Sequence, residues 1–99
     1  SDGIINWNET AEKINNKIRA FNPWPGSYCQ LSTGETLSIW EAICVDGKGE
    51  PGEILDDNLT ISTKKGAIRL LEVQLHGKKR MRTDVFLNGN KLETGSFLI

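Results

Sequence analysis

Short apolar segments separated by turn residues occupy most of the chain after residue 26, and they constrain the fold more than any other feature. Val, Ile, Leu and aromatic residues are concentrated in these segments, whereas Gly, Asp, Asn and Pro lie between them. Strands that recur about every 8–12 residues with turn signals between them are typical of an antiparallel barrel or sandwich. The pattern predicts a mainly β fold, with strands over residues 28–31, 36–45, 53–55, 59–62, 67–75 and 92–98.

One amphipathic helix is predicted before the β region, at about residues 8–21. Its apolar side chains recur at spacings of three and four residues and form one stripe, made by Ala11, Ile14, Ile18 and Phe21. Asn8 is the predicted N-cap. The helix ends before Pro23, because a residue that precedes proline is disfavoured in the helical region. A stiff corner follows at Trp24-Pro25-Gly26, and the bulk of Trp24 predicts burial between the helix and the barrel.

Strict alternation in the long segment 36–45 assigns its side chains to two faces of a strand. Leu37, Ile39 and Glu41 fall on one face, and Trp40 and Ala42 fall on the other.

The last fifteen or so residues are predicted to close the barrel. Thr83 can cap a short helical turn that ends at Gly89. The apolar residues between 92 and 98 then predict a final strand, at the end of a barrel region of about residues 27–99.

Composition and length indicate a single ordinary domain. The chain has 99 residues, of which 37% are hydrophobic and 25% charged, enough for one modest core. No apolar run approaches the roughly 20 residues that a membrane helix needs, which excludes a spanning segment. The two cysteines have neither C-x-x-C nor zinc-ligand spacing, and a reduced, cytoplasmic protein is expected. Because the sequence begins without an initiator Met or a signal peptide, it is expected to be an excised piece of something longer. Cys29 and Cys44 are predicted to be buried reduced thiols, with one disulfide as the alternative.

Charge is distributed unevenly along a chain whose net charge is only −1. Residues 1–63 carry four basic and ten acidic side chains, and residues 64–99 carry eight basic and three acidic ones. Such asymmetry indicates a surface that meets an anion such as a phosphate backbone. The candidate residues are Lys64, Lys65, Lys78, Lys79, Arg80 and Arg82. The alternative on composition alone is a solvated, charged turn.

The residues provide little for catalysis. Nucleophilic catalysis needs a base aligned on a Ser, Cys or Thr, and the single histidine, His76, is predicted at the exposed end of a strand. Asp56 and Asp57 are adjacent and are interpreted as a turn rather than as a catalytic pair. No phosphate-binding loop or zinc-ligand spacing is present in the sequence. We therefore expect no enzymatic activity from these residues alone.

Four stretches of the sequence are distinctive when taken together. The most specific is Arg-Ala-Phe-Asn-Pro-Trp-Pro-Gly at residues 19–26, preceded by Trp7. It is followed by Pro-Gly-Glu-Ile at 51–54, Leu-His-Gly-Lys-Lys-Arg-Met at 75–81 and Phe-Leu-Asn-Gly at 86–89. In these stretches and in their order the sequence resembles the C-terminal domain of methionyl-tRNA formyltransferases, and the resemblance covers nearly the whole chain.

The resemblance implies an open antiparallel β-barrel of the oligonucleotide-binding (OB) type, preceded by one helix and appended to a formyltransferase. It implies a role in binding and orienting tRNA, which we assign to Lys78, Lys79 and Arg80 with Arg82, Lys64 and Lys65 as neighbours. The 10-formyltetrahydrofolate cofactor and the catalytic residues are expected on a separate N-terminal domain of the same parent chain, and no cofactor is expected here. The alternative is a structural barrel of a sugar N-formyltransferase or a formyltetrahydrofolate dehydrogenase, which does not use tRNA.

Overall fold

A computed structural model describes residues 3–99 of the chain, and within them it contains two helices and five strands. In chain order these are α1 (Ala11–Phe21), β1 (Ser27–Gln30), β2 (Thr36–Val45), β3 (Thr60–Ser62), β4 (Ala67–Leu75), β5 (Met81–Arg82) and α2 (Thr83–Gly89). The strands predicted at 36–45 and 67–75 are confirmed with the same bounds.

The five strands form one antiparallel sheet in which β4 is central. β2 pairs along one edge of β4, while β3 and β5 pair with opposite ends of the other edge. β1 pairs with the outer edge of β2. The sheet curls into an open half-barrel, and α1 buries Ala11, Ile14 and Ile18 in the core. The prediction of a mainly β, open antiparallel barrel preceded by one helix is thus confirmed.

Helix α1 begins later than the sequence predicts. The N-cap is Thr10, whose hydroxyl accepts a hydrogen bond from the amide of Lys13 at 3.2 Å, and not Asn8. Thr10 is extended and bridges Lys65, and the amide of Ala11 donates to the Lys65 carbonyl at 3.0 Å. Pairing with this distant turn holds the preceding residues out of the helix, a constraint that local sequence does not contain.

An irregularity in β2 changes which side chains face the core. The pairing of β2 with β4 shifts on both sides of Glu41, and Trp40 has no partner in the register. Such a bulge reverses the alternation of faces. As a result Ala42 is buried on the same side as Ile39, whereas Glu41 is exposed. The predicted assignment of Glu41 and Ala42 to faces is therefore wrong.

Strand β3 lies within the strand predicted at residues 59–62, and it is buried on both faces. Thr60, Ile61 and Ser62 are all buried. Besides pairing with β4, the strand exchanges backbone hydrogen bonds with residues 53–55, which form bridges rather than the predicted strand. Because both faces of β3 are covered by the rest of the protein, neither face has to be polar.

The end of the chain pairs with other backbone segments without forming the predicted final strand. Ser96 and Leu98 make backbone hydrogen bonds to residues 52–54, and Ile99 exchanges two with Gln30 of β1. Just before this segment, Thr83 is the first residue of α2 rather than its cap, since Arg82 occupies the N-cap position. Helix α2 buries Phe86 in the core.

Candidate nucleic-acid interface

The loop that joins β4 to β5 carries three consecutive basic residues, Lys78, Lys79 and Arg80, and all three are exposed. A tight turn forms the loop, in which the amide of Lys78 donates to the carbonyl of Leu75 at 2.9 Å and Gly77 adopts a φ of 82°. That left-handed conformation favours glycine. We call residues 78–80 the basic loop.

Arg80 is held by the protein rather than left free. Its guanidinium lies over the ring of Trp40, 4.7 Å from the ring centroid, and it forms an ion pair with Glu72. Both Trp40 and Glu72 belong to the sheet, so Arg80 fastens the end of the basic loop to β2 and β4. A cation over an indole ring is worth about 0.5–1 kcal/mol at an exposed site.

Gln74 forms a second link between the sheet and the basic loop. Its side-chain oxygen accepts from Nε1 of Trp40 at 3.0 Å, and its side-chain nitrogen donates to the carbonyl of Lys78 at 2.8 Å. The indole of Trp40 thus supports the loop through two residues, Arg80 and Gln74. Trp40 and Gln74 were not predicted as part of the site, because their proximity to the loop depends on strand pairing and on the bulge.

Replacing Gln74 by leucine is expected to lower the free energy of unfolding by about 1–3 kcal/mol, because the indole nitrogen of the half-buried Trp40 loses its acceptor. Chemical denaturation of the purified protein measures this loss. Ser38 lies opposite Gln74 in β2, and Ser38→Ala is the control, with an expected change of less than about 0.5 kcal/mol. Equal stability of the Gln74→Leu variant and the parent would show that the link contributes nothing.

Lys78 and Lys79 differ from the other basic residues around them. Among residues 3–99 neither makes an ion pair within 4.0 Å, whereas Arg80 pairs with Glu72, and Arg82 lies 3.9 Å from Glu41. No carboxylate of the described residues therefore competes with an external anion for these two lysines, on a loop that the sheet holds in place.

Lys64 and Lys65 lie at the opposite end of β4 from the basic loop. They precede the nine-residue strand and the loop follows it, so the two clusters are separated by about 25 Å at the usual rise of an extended strand. The structure does not bring them together. Instead, Lys64 and Lys65 share an open cleft with Lys48, a basic residue that was not predicted as part of a site.

The corner at residues 23–25 contradicts the sequence prediction. Trp24 is 84% exposed, although its size predicted burial between helix and barrel. Of the predicted helix stripe, Ala11, Ile14 and Ile18 are buried in the core and Phe21 is half-buried, and the tryptophan that enters the core is Trp7. An aromatic residue in a rigid turn is oriented by the backbone of that turn, which the hydrophobic pattern does not reveal.

Of the residues considered for catalysis, Asp56 has a structural role and His76 is exposed just after the end of β4. The side chain of Asp56 accepts hydrogen bonds from the amides of Asn58 and Thr60 at 2.9 and 3.2 Å, as in a turn. Burial tends to raise the pKa of Asp56, but these hydrogen bonds and the charge of Arg69 outweigh it and leave the pKa lowered. Within residues 3–99 no group of three or more His, Cys, Asp or Glu side chains is placed to hold a metal ion.

The two cysteines are free and differ in environment. Burial raises the pKa of Cys29 to about 12, so this thiol stays protonated, in keeping with the predicted buried thiol. Cys44 is exposed, which corrects the prediction that both are buried.

Neither helix in the described part of the chain has the length and apolarity needed to cross a bilayer.

Comparison with known proteins gives consistent matches over most of the chain. Residues 1–91 match the family described as formyl transferase, C-terminal domain. The chain is 45% identical over 100 residues to the methionyl-tRNA formyltransferase of Agathobacter rectalis, covering 96% of this chain and 32% of that protein. It is 46% identical over 96 residues to that of Nitrobacter hamburgensis, covering 94% and 31%. The chain thus spans about a third of the length of these curated relatives.

A solved structure supports the fold independently. HypX from Aquifex aeolicus, in complex with tetrahydrofolic acid, is similar over 94% of this chain and 20% of its own, with a TM-score of 0.67. Its sequence is 18% identical, so the likeness concerns the fold alone. The family match over residues 1–91 shows that this chain belongs to the formyl transferase C-terminal domain family.

Proposed function

We propose that this domain is the accessory tRNA-binding domain of a methionyl-tRNA formyltransferase. In this proposal the parent protein, in the cytoplasm, transfers a formyl group from 10-formyltetrahydrofolate to the methionyl group of initiator tRNA at the start of translation. Both the folate and the chemistry belong to the domain that precedes this one. The observation that carries the proposal is the pair of exposed lysines without ion pairs, Lys78 and Lys79, on a loop fastened to the sheet.

The charge distribution of the domain orients an approaching RNA. Residues 64–82 carry seven basic side chains and one acidic one, in a molecule whose net charge is −1. Phosphates are attracted to the basic clusters at the two ends of β4 and repelled by the acidic remainder, so an approaching tRNA meets the domain in a restricted orientation. Lysine contacts with phosphates position a nucleic acid without reading its sequence. The domain therefore orients the tRNA, and selection of the initiator belongs to the preceding domain.

The second basic cluster is also part of the proposed tRNA-binding surface. Lys64 and Lys65, with Lys48 beside them, lie about 25 Å from the basic loop along an extended strand. We assign them weaker contacts with phosphates elsewhere on the same tRNA, because one elongated polyanion can reach both clusters. Arg80 and Arg82 serve mainly to hold the loop, since each faces a carboxylate of the sheet.

Titration of labelled tRNA with the purified 99-residue protein tests the proposal. We expect a dissociation constant of about 10⁻⁴–10⁻⁶ M near physiological salt, which is the range of non-specific association. Affinity should fall steeply as salt rises, and initiator and elongator tRNAs should bind equally well. Fluorescence anisotropy over a series of salt concentrations measures all three properties.

Absence of tRNA binding even at about 50 mM salt, where phosphate contacts are strongest, would refute the proposal. The domain would then be a structural barrel of a formyltransferase-family protein that does not act on tRNA, such as a sugar N-formyltransferase or a formyltetrahydrofolate dehydrogenase.

A further inference from the structure

The corner formed by Pro23, Trp24 and Pro25 displays a large aromatic side chain to solvent. Trp24 is 84% exposed, and both flanking prolines are exposed as well. By contrast, Trp7 is buried and Trp40 is half-buried. A tryptophan exposed to this degree is unusual on a soluble domain and commonly marks a contact surface.

The corner is held firmly in place. The amide of Gly26 donates to the carbonyl of Phe21 at 2.9 Å, which closes the turn after α1. The side chain of Asn22 donates to the carbonyl of Trp40 at 3.2 Å and fixes the turn to β2. Two prolines restrict the backbone on either side of Trp24. A side chain displayed in this way loses little entropy when it binds, which is a property of anchor residues.

The first residue that the structure describes, Gly3, lies against this corner. A Cβ atom added to Gly3 would be 2.7 Å from the carbonyl oxygen of Gly26. The carbonyl of Gly3 also accepts from the amide of Tyr28 at 2.8 Å. The next residue, Ile4, is 52% exposed and adds apolar surface close to Gly3.

The uncharged stretch of sequence that contains Trp24 favours a protein partner over RNA. Residues 20–34 contain no charged side chain, a run of 15 residues in a chain that is 25% charged. A surface that contacts phosphates needs Lys or Arg nearby, whereas the centres of protein interfaces are depleted in charge and enriched in tryptophan.

We propose that Pro23, Trp24 and Pro25, together with Ile4, form the docking surface for the domain that precedes this one in the full-length chain. The proposal rests on membership of a C-terminal domain family whose relatives are about three times as long as this chain, and it does not depend on tRNA binding. The preceding domain is tethered next to the corner, so its effective concentration there is in the millimolar range or above. A small surface with one tryptophan anchor is sufficient at such a concentration.

Hydroxyl-radical footprinting of the full-length chain tests the contact at the side chain itself. We expect Trp24 to be oxidised at least several-fold more slowly in the full-length chain than in the 99-residue protein, with Trp40 serving as the internal reference. Equal oxidation rates of Trp24 in the two proteins would overturn the proposal.

Substitution of the anchor provides a second measurement. In the full-length chain, Trp24→Ser is expected to accelerate proteolysis of the segment between the domains by about 30-fold, the effect of losing one anchor residue from an interface. In the 99-residue protein its effect on stability should be small. The control is Val85→Ser, because Val85 is 53% exposed but lies on α2. If Trp24→Ser instead weakened tRNA binding by the 99-residue protein and left proteolysis unchanged, Trp24 would be an RNA contact and the docking proposal would be wrong.

Discussion

Replacing Lys78 and Lys79 together by alanine is expected to reduce the slope of log K against log salt for tRNA binding by about two units. Each lysine that neutralises a phosphate releases condensed counterions and contributes about one unit to this slope. Both side chains are exposed, and neither makes an ion pair among the described residues, so each is available for a phosphate. Affinity should fall to a similar extent for every tRNA, because no base is read. Anisotropy titrations at several salt concentrations measure the slope.

Two further variants make this result specific. Lys13→Ala with Lys17→Ala removes the same charge from α1, but those lysines already pair with Glu9 at 3.6 and 3.1 Å, so the slope should change little. Arg80→Ala should reduce the slope by clearly less than one unit, since Arg80 is engaged by Glu72 and Trp40. Identical slopes for the double lysine variant and the parent would show that the basic loop is only a solvated turn.

Replacing Phe86 by alanine is expected to lower the free energy of unfolding by about 3–5 kcal/mol, the usual cost of truncating a large core aromatic. Phe86 is 1% exposed and is the residue through which α2 enters the core. Against a total stability of about 5–15 kcal/mol for a domain, this loss is large. Urea denaturation followed by circular dichroism measures it.

Phe86→Leu should cost less than about 1.5 kcal/mol, and it tests the site even where the alanine variant fails to fold. The matched surface control is Trp24→Ala, which removes an aromatic side chain of larger size that is 84% exposed. Its expected cost in the 99-residue protein is below about 1 kcal/mol. A greater loss for Trp24→Ala than for Phe86→Ala would contradict the burial pattern described above.

Phe86 and Trp24 show where sequence patterns are informative about the core and where they are not. Hydrophobic spacing predicted the buried stripe of α1, because position on a helix determines which face a side chain occupies. Trp24 lies in a turn, where no periodicity applies, and its size alone led to a wrong prediction of burial. Phe86 was predicted only as part of a short helical turn, since a seven-residue helix is too short to display a stripe.

The candidate site was predictable in composition but not in arrangement. The charge asymmetry and the run at residues 78–80 identified the basic loop. The same reasoning grouped Lys64 and Lys65 with it, although the length of β4 separates them. Distance along an extended strand grows by about 3.3 Å per residue, so clusters at the two ends of one strand are far apart even when sequence separation is small. The supporting residues Trp40 and Gln74 come together only through the pairing of β2 with β4.

The sequence by itself determined the fold class, the bounds of the two long strands and the family resemblance, because each depends on local pattern: alternation, turn residues and specific strings such as residues 19–26. Tertiary structure decided the start of α1 at Thr10, the bulge at Trp40 and the exposure of Trp24. It also decided which basic residues remain unpaired. These features arise from contacts between residues far apart in the chain. The free energies of those contacts outweigh the local conformational preferences, which are all that a sequence pattern reveals.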